Sequence, residues 1–270
     1  MAAVVQFATP TADVEANVKR GARLAAEAAR AGARIVVLPE TAFTPYCLKE
    51  RFVDYAEPVP GPTTKAIGKL ARDLGVFICY GLAERRGDAI FNTSVLTGPD
   101  GAVVAAHRKA HLYVADIEAG FGWGDRLTTV DTPLARVGML VCADSHRIEC
   151  ARVFDLEGVE ITTLPSVGVA RRDAVDECIE HWRLMMRANA WFGRFYLLRA
   201  DKVGEEGELI EIGHSMIIDP KGDVLVEGDM KEGFFVAELK PFTKAEYADK
   251  KRRPDLYGRL SEGVFAAPGP

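Results

Sequence analysis

A strand–helix–strand pattern at the start of the chain constrains the fold more than any other feature of the sequence. Residues 2–7 are a short apolar run, residues 11–31 carry apolar side chains at nearly helical spacing, and residues 34–38 are a second apolar run. Gly32 is well placed to end the intervening helix. A similar succession of strand, helix and strand recurs around 137–164. Because such units pack helices onto sheets, the pattern predicts an α/β fold with two sheets and the helices outside.

Further elements of the same kind follow, and no low-complexity linker or short repeat interrupts them. The helical patterns lie at 63–74, 150–156 and 173–192. The strand patterns lie at 76–82, 90–96, 102–107, 137–141, 160–165, 196–200, 214–218, 224–227 and 234–239. We expect one hairpin to turn at 98–101, and another to be completed by the last two strands after a turn at 219–222. A length of 270 residues allows one large domain or two smaller ones, and we predict a single domain over 1–270.

The composition excludes several classes of function. A net charge of -5 and a pI of about 5.7 give no global attraction to nucleic acid or to an anionic membrane. The basic run at 250–253 is interpreted as a solvated face. The sequence shows no run of about 18 apolar residues and no signal-peptide pattern, so no membrane span is expected. Five cysteines at irregular spacing, without a CxxC pair, indicate neither a disulfide framework nor a zinc site. A reducing cytoplasm is the simplest compartment for such a chain.

Three chemically useful side chains follow predicted strands. Glu40 follows the strand at 34–38, Lys109 follows the strand at 102–107, and Cys142 follows the strand at 137–141. The ends of strands in α/β sheets are where reactive groups tend to lie. Each residue also has an ordinary interpretation, because a cysteine ending an apolar strand is most often buried and inert, and charged residues often cap helices or lie in solvent. Position alone leaves both interpretations open.

The segments around these residues resemble a known family. VVLPETAF around Glu40, HRKAHL around Lys109 and LVCAD around Cys142 resemble, in order and spacing, the Glu–Lys–Cys motifs of the nitrilase superfamily, the carbon–nitrogen hydrolases. The resemblance extends to AAVVQFA at the start, to FNTSVLTGPDG and GHSMIIDPKGDVL, and to RRPDLYGRL near the end. It implies a four-layer α-β-β-α sandwich that is usually paired as a homodimer or higher homo-oligomer. It also implies a cysteine nucleophile, with no metal and no organic cofactor.

The resemblance implies a role for each catalytic residue. Glu40 is expected to act as general base, and Cys142 to form a thioester. Lys109 is expected to stabilise the oxyanion together with the backbone N–H of Ala143. Members of the family often carry a second glutamate ahead of a Gly-Asp pair, and Glu118 is the candidate here. Its role would be to hold the substrate amide and the lysine, although it lies one residue closer to the Gly-Asp pair than expected.

The residues after the cysteine favour an amidase. Amidase-type members tend to have Asp two residues after the cysteine, as Asp144 is here, whereas nitrile-hydrolysing members tend to have Trp-Glu directly after it. We therefore expect hydrolysis of a small linear amide or N-carbamoyl compound, with release of ammonia. The chain departs from the family pattern at 145–149, and at 187–191, where the common Glu and Asn are missing. The resemblance therefore leaves the residues that support the site, and the subfamily, to be decided by the structure.

Several further residues are candidates for contact with substrate. His146, Arg147 and Ser166 follow the cysteine or the next strand closely enough to line a pocket, and Arg171 and Arg172 lie in the loop beyond. An arginine there would suit a substrate carboxylate, which motivates the hypothesis of an anionic amide or N-carbamoyl substrate. The alternative for all of them is a surface or dimer-interface position.

Rival functions remain open at this point. A nitrilase and a catalytically idle family member that acts as a binding or scaffold subunit are the main alternatives. A papain-like hydrolase fits poorly, because its local signature is absent and Lys109 would have no role. His214 and Ser215 do not suggest a catalytic pair, because adjacent residues of a strand point to opposite faces. The expected partner is a small molecule, with no nucleic acid and no membrane.

Overall fold

Two six-stranded mixed sheets lie face to face, and a third sheet of three short strands accompanies them. The computed structural model describes residues 1–244, 255 and 257–258. The first half contains β1 (Ala2–Gln6), α1 (Val14–Arg30), β2 (Ile35–Val37), α2 (Phe52–Tyr55), α3 (Pro62–Leu74), β3 (Phe77–Arg86), β4 (Ala89–Thr97), β5 (Val103–Arg108) and α4 (Val114–Glu118). The second half contains β6 (Thr128–Asp131), β7 (Arg136–Met139), α5 (Ile148–Leu156), β8 (Ile161–Pro165), β9 (Val169–Arg171), α6 (Val175–Gly193), β10 (Tyr196–Ala200), β11 (Val203–Glu206), β12 (Leu209–Ile212), β13 (Met216–Ile218), β14 (Val224–Glu227) and β15 (Gly233–Ala237).

The two large sheets have matching topologies. The first has the order β15-β1-β2-β3-β4-β5, with β1, β2 and β3 parallel, and the second has the order β14-β13-β10-β8-β7-β6, with β7, β8 and β10 parallel. Strands β1 and β2 are buried along their whole length, as expected for parallel strands covered on both faces. Helices α1 and α3 pack together on the first sheet, α5 and α6 pack together on the second, and β1 and β3 contact β10 and β8 between the sheets. The predicted four-layer α-β-β-α sandwich is confirmed.

Local chemistry explains the first helix. The Asp13 side chain accepts a hydrogen bond from the N–H of Ala16 at 3.0 Å and so caps the helix start. Leu24, Ala25 and Ala28 form the buried face. Gly32 follows the helix with a φ of 97°, a left-handed conformation that glycine adopts without strain. The predicted helix and its end are therefore correct to within a few residues.

One predicted pairing is wrong. Strands β14 and β15 do not form a hairpin, because β14 pairs with β13 in the second sheet and β15 pairs with β1 in the first. The hairpin around 219–222 is therefore made by β13 and β14, and the chain then crosses between the layers. The sequence patterns also missed β6 and the small sheet of β9, β11 and β12.

Contacts between Cα atoms divide the chain into a compact unit over residues 1–240 and a second unit over 241–270. The single domain over 1–270 stays a prediction. The basic run at 250–253 and most of the RRPDLYGRL segment lie outside the described residues. No helix among the residues that the structure describes has the length and apolar character needed to cross a membrane.

Candidate active site

The chain direction brings Glu40 and Lys109 to one edge of the first sheet. Strand β5 is antiparallel to β4, which is antiparallel to β3, so β5 runs in the same direction as β2 and β3. Glu40 lies in the turn after β2, and Lys109 directly follows β5. Both side chains are almost fully buried, and Lys109 Nζ lies 2.7 Å from Glu40 Oε1. The sequence alone indicates only that each residue follows a strand, and the fold brings the two side chains together.

A glycine allows the turn that carries Glu40 to lie against the sheet. The N–H of Gly81 on β3 donates to Pro39 O at 2.9 Å, and the N–H of Ala42 donates to Gly81 O at 2.9 Å. A Cβ at position 81 would lie 2.6 Å from the backbone N of Thr41 and 2.7 Å from the Cα of Glu40. Only glycine therefore fits at this point without moving the turn.

Lys109 is held between two carboxylates. Its Nζ lies 2.7 Å from Asp116 Oδ2 as well as 2.7 Å from Glu40 Oε1. Asn92 Nδ2 donates to the other oxygen of Asp116 at 2.9 Å and to Glu40 Oε1 at 2.6 Å. Burial lowers the pKa of Lys109, but the charges of Glu40, Cys142 and Asp116 outweigh it and leave that pKa well above its usual value. The side chain is therefore an ammonium ion at neutral pH.

Cys142 begins a short 3₁₀ helix, Cys142–His146, in a left-handed conformation with a φ of 40°. Such a conformation is strained for a residue with a side chain, and strained residues cluster at functional sites. The sulfur lies 3.8 Å from the carbonyl oxygen of Val167. Burial and the charge of Glu40 raise the pKa of the thiol well above its usual value, and Lys109 opposes this only in part. The resting thiol is therefore protonated at neutral pH and needs a base.

The site offers both a proton acceptor and an oxyanion donor. Glu40 Oε2 is buried and has no hydrogen-bond partner among the described residues. The first internal hydrogen bond of the 3₁₀ helix runs from Asp144 N to Val141 O at 3.0 Å. The N–H of Ala143 belongs to the residue before that donor. At this position in a helix, a backbone N–H has no acceptor within the helix. With a carboxylate and an ammonium whose charges both act on the thiol, and with the N–H of Ala143, the thiol can attack a carbonyl as a nucleophile.

A buried carboxylate joins the two loops that carry the lysine and the cysteine. Asp144 Oδ1 accepts hydrogen bonds from the N–H of Ala110 at 3.1 Å and of His111 at 2.9 Å. Asp144 Oδ2 accepts from the N–H of Val141 at 2.9 Å and from Nε2 of His107 at 3.0 Å. The pKa of Asp144 is held well below its usual range, because hydrogen bonds from His107 and His111 outweigh the effect of burial. One side chain thus fixes the relative positions of both loops.

A cavity of about 280 Å³ opens over the sulfur of Cys142. Its walls are mostly aromatic and aliphatic. They consist of Tyr46, Tyr113, His146, Val167, Gly168, Val169, Cys178, His181, Trp182 and Met185. Of the predicted substrate-binding residues, His146 lines this cavity, and its ring centroid lies 5.6 Å from that of Trp182.

The other predicted substrate contacts lie elsewhere. Arg147 is exposed and is not part of the cavity wall. Ser166 is fully buried behind the wall, where its hydroxyl donates to Ala200 O at 3.2 Å. Arg171 lies 3.5 Å from Asp173, and Arg172 lies 3.1 Å from Glu205 on the surface. None of these four side chains is part of the cavity wall.

Glu118 also lies outside the site. It is exposed at the end of the one-turn helix α4, whereas Asp116 two residues earlier is buried against Lys109. Asp116 Oδ2 also accepts a hydrogen bond from the N–H of Tyr113 at 2.8 Å, which fixes the carboxylate at the start of the helix. In a helix, residues two positions apart point in different directions, so only one of the two carboxylates faces the lysine. The sequence signal for this placement is an acidic residue in the first turn of a helix, where its carboxylate can accept from a free backbone N–H.

Comparison with known proteins agrees with the fold. The sequence profile of the carbon–nitrogen hydrolase family matches residues 1–248. Omega-amidase NIT2 of Xenopus tropicalis is 30% identical over 269 residues, which cover 94% of this chain and 95% of that protein. The mouse omega-amidase NIT2 is 30% identical over 256 residues, which cover 89% and 91%.

Two solved structures share the architecture. Saccharomyces cerevisiae Nit3, a member of branch 10 of the nitrilase superfamily, superposes with a TM-score of 0.83 at 25% identity over 94% of this chain and 95% of that one. An amidase from Nesterenkonia sp. superposes with a TM-score of 0.79 at 23% identity, over 96% and 95%. At that lower identity the likeness concerns the fold alone.

Proposed function

The chain belongs to the carbon–nitrogen hydrolase family, and from this premise we propose that it is an amidase acting on a small linear amide or N-carbamoyl compound through Cys142, Glu40 and Lys109. The observation that carries the proposal is the buried Glu40–Lys109 pair at 2.7 Å, whose charges both act on the thiol of Cys142, a residue in a strained turn. The relatives described as omega-amidases support an amide substrate.

Acylation begins with the protonated thiol. As Cys142 Sγ attacks the carbonyl carbon, Glu40 Oε2 accepts the thiol proton, so no stable thiolate is required. The carbonyl oxygen gains negative charge, which the Lys109 ammonium and the N–H of Ala143 stabilise. A fixed charge in a buried site is more effective here than in water, because little solvent screens it.

Collapse of the tetrahedral intermediate breaks the carbon–nitrogen bond. Glu40 returns its proton to the leaving nitrogen, ammonia departs, and a thioester remains on Cys142. Water then enters, gives a proton to Glu40 and attacks the thioester carbonyl. The second collapse releases the acid and restores the thiol with the proton held by Glu40. For an N-carbamoyl substrate, the carbamate product decomposes to the amine and carbon dioxide.

Asp116 takes the role that was expected of Glu118. Its carboxylate lies 2.7 Å from the lysine Nζ and is joined through Asn92 to Glu40. It thereby orients Lys109 towards the oxyanion and keeps the ammonium charged. Glu118 has no part in the proposed mechanism.

The test is ammonia release from a panel of linear amides, N-carbamoyl amino acids and nitriles. We expect release from an amide or N-carbamoyl compound, and a loss of about 10⁴-fold or more in kcat for Cys142→Ala and Glu40→Gln. Cys47→Ser is the matched control, because Cys47 is an exposed thiol outside the catalytic set. Mass spectrometry of Glu40→Gln after exposure to substrate checks for an acyl adduct on Cys142.

Three results would reject the proposal. Ammonia release that persists in Cys142→Ala would rule out the cysteine mechanism. Release from nitriles alone would identify a nitrilase. No release from any compound of the panel would favour a binding or scaffold subunit.

A further inference from the structure

The cavity over Cys142 is bordered by aromatic rings. Tyr113 and His146 lie with ring centroids 6.5 Å apart, and His146 lies 5.6 Å from Trp182 in an edge-to-face arrangement. Tyr46 belongs to the same wall, and Met185 adds an apolar surface. Aromatic walls of this kind favour flat or apolar groups, which bury surface against them.

No lysine or arginine lines this cavity among the residues that the structure describes. The guanidinium of Arg199 lies 4.0 Å from the ring centroid of Trp182, on the protein side of the wall. It is fully buried, donates to the carbonyl oxygens of Gly213 and His214, and pairs with Asp201. Arg199 is committed to the protein and is not available to a substrate carboxylate.

The charge of the catalytic set around Cys142 also opposes an anion in this cavity. Glu40 and Asp116 face the single ammonium of Lys109, so the catalytic set carries a net negative charge while the thiol is protonated. Burial and the charge of Lys109 lower the pKa of His146, so its ring is neutral at neutral pH. A carboxylate on the acyl group would enter a cavity whose wall carries no lysine or arginine among the described residues, so its charge would lose water without gaining such a partner.

From this arrangement we infer that the acyl group of the substrate is uncharged and carries an aromatic or bulky apolar substituent, held between Tyr113, His146 and Trp182. The inference rests on the proposed function and names the substrate class of the same site. It replaces the anionic amide suggested by the sequence. The volume of about 280 Å³ suits an acyl group with a single ring.

The experiment compares four amides with the same leaving group. These are phenylacetamide, 4-carboxyphenylacetamide, 4-(aminomethyl)phenylacetamide and acetamide. We expect kcat/KM for phenylacetamide to exceed that for each of the other three by about 10-fold or more, because apolar burial and charge desolvation each contribute at this level. Salt is held constant across the series, so that screening does not differ between the charged and neutral amides.

Tyr113→Leu separates ring contact from a general effect on the fold. Tyr113 is half exposed, so its replacement leaves the core intact. We expect a rise of about 5-fold or more in KM for phenylacetamide and a smaller rise for acetamide, which has no ring to contact Tyr113. Trp182→Leu is the second variant, and circular dichroism verifies that it folds.

The outcomes separate this inference from the proposed function. Equal or faster turnover of 4-carboxyphenylacetamide would overturn the inference while ammonia release still supported an amidase. Faster turnover of the aminomethyl compound would overturn it in favour of a cationic substrate. No release from these four amides would also overturn it, and no release from the wider panel would overturn the proposed function as well.

Discussion

Asp144 Oδ2 lies 3.0 Å from His107 Nε2, and both side chains are fully buried. Through this carboxylate, the end of β5 and the turn after β7 are held together, although they belong to different sheets. The catalytic lysine and cysteine of the proposed mechanism lie on these two segments. The distance between their reactive atoms therefore depends on a residue that does not contact substrate in the mechanism.

Asp144→Asn tests this positioning role. The amide supplies one acceptor where the carboxylate supplies two, and its NH₂ group faces backbone donors. We expect kcat/KM to fall by about 10²-fold through misplacement of the reacting groups, and the free energy of unfolding to fall by ~3 kcal/mol. Steady-state kinetics and urea denaturation give the two values.

Asp125→Asn is the control for Asp144→Asn, because Asp125 is an exposed carboxylate paired only with the neighbouring Arg126 among the described residues. It should change neither value appreciably. Full activity in a destabilised Asp144→Asn would show that Asp144 contributes to folding alone.

Asp116→Asn and Glu118→Gln form a matched pair that tests which carboxylate serves Lys109. Asp116 lies 2.7 Å from the lysine Nζ and is buried, whereas Glu118 is exposed. We expect kcat to fall by about 10²-fold in Asp116→Asn, because the lysine loses one of its two orienting charges, and to stay within about 2-fold in Glu118→Gln. The reverse order in ammonia-release assays would restore the role first expected of Glu118.

Asp116 and Glu118 differ in orientation, a property that sequence patterns do not determine, whereas they do indicate buried strands. Apolar runs with period and length typical of strands predicted most of the two large sheets, because burial selects those residues directly. The positions of Glu40 and Lys109 after strands also followed from the chain. The choice between Asp116 and Glu118 did not, since it depends on the direction in which a single helical turn faces.

The residues that line the cavity could not be predicted from the sequence, for a related reason. Tyr46, Tyr113 and Trp182 come from three distant segments, and each has an aromatic side chain that fits a core equally well. The arginines that follow the cysteine are candidates for substrate contact by proximity in the chain, with a surface position as the alternative. The structure shows Arg147 exposed and Arg172 paired with Glu205, because loop geometry and not separation along the chain decides orientation.

Gly81→Ala is expected to affect activity more than its small size suggests. The added Cβ would lie 2.6 Å from Thr41 N and 2.7 Å from the Cα of Glu40, and both are backbone atoms that cannot rotate away. The turn must therefore move, which shifts the Glu40 carboxylate relative to Lys109. We expect kcat/KM to decrease by about 10²-fold. We also expect the free energy of unfolding to decrease by about 2 kcal/mol.

Gly233→Ala is the matched control for Gly81→Ala. The nearest atom to a Cβ at position 233 is 3.8 Å away, on the ring of Phe235, which is ordinary van der Waals contact. Kinetics and thermal melting of this variant should resemble those of the wild type. A Gly81→Ala enzyme with wild-type kinetics would mean that the turn tolerates displacement.

The last prediction concerns the protonation of Cys142 in the free enzyme. Burial and the charge of Glu40 raise the pKa of the thiol well above its usual value, and the nearby Lys109 offsets this only in part. Because a raised thiol pKa favours the neutral form, the absorbance of thiolate near 240 nm should not develop between about pH 5 and about pH 9. The difference between the wild type and Cys142→Ala isolates this residue from the other four cysteines. A flat difference across that range supports proton transfer to Glu40 during attack. A titration step with a midpoint below about pH 8 would indicate a preformed thiolate, and Glu40 would then have no thiol proton to accept in the first step.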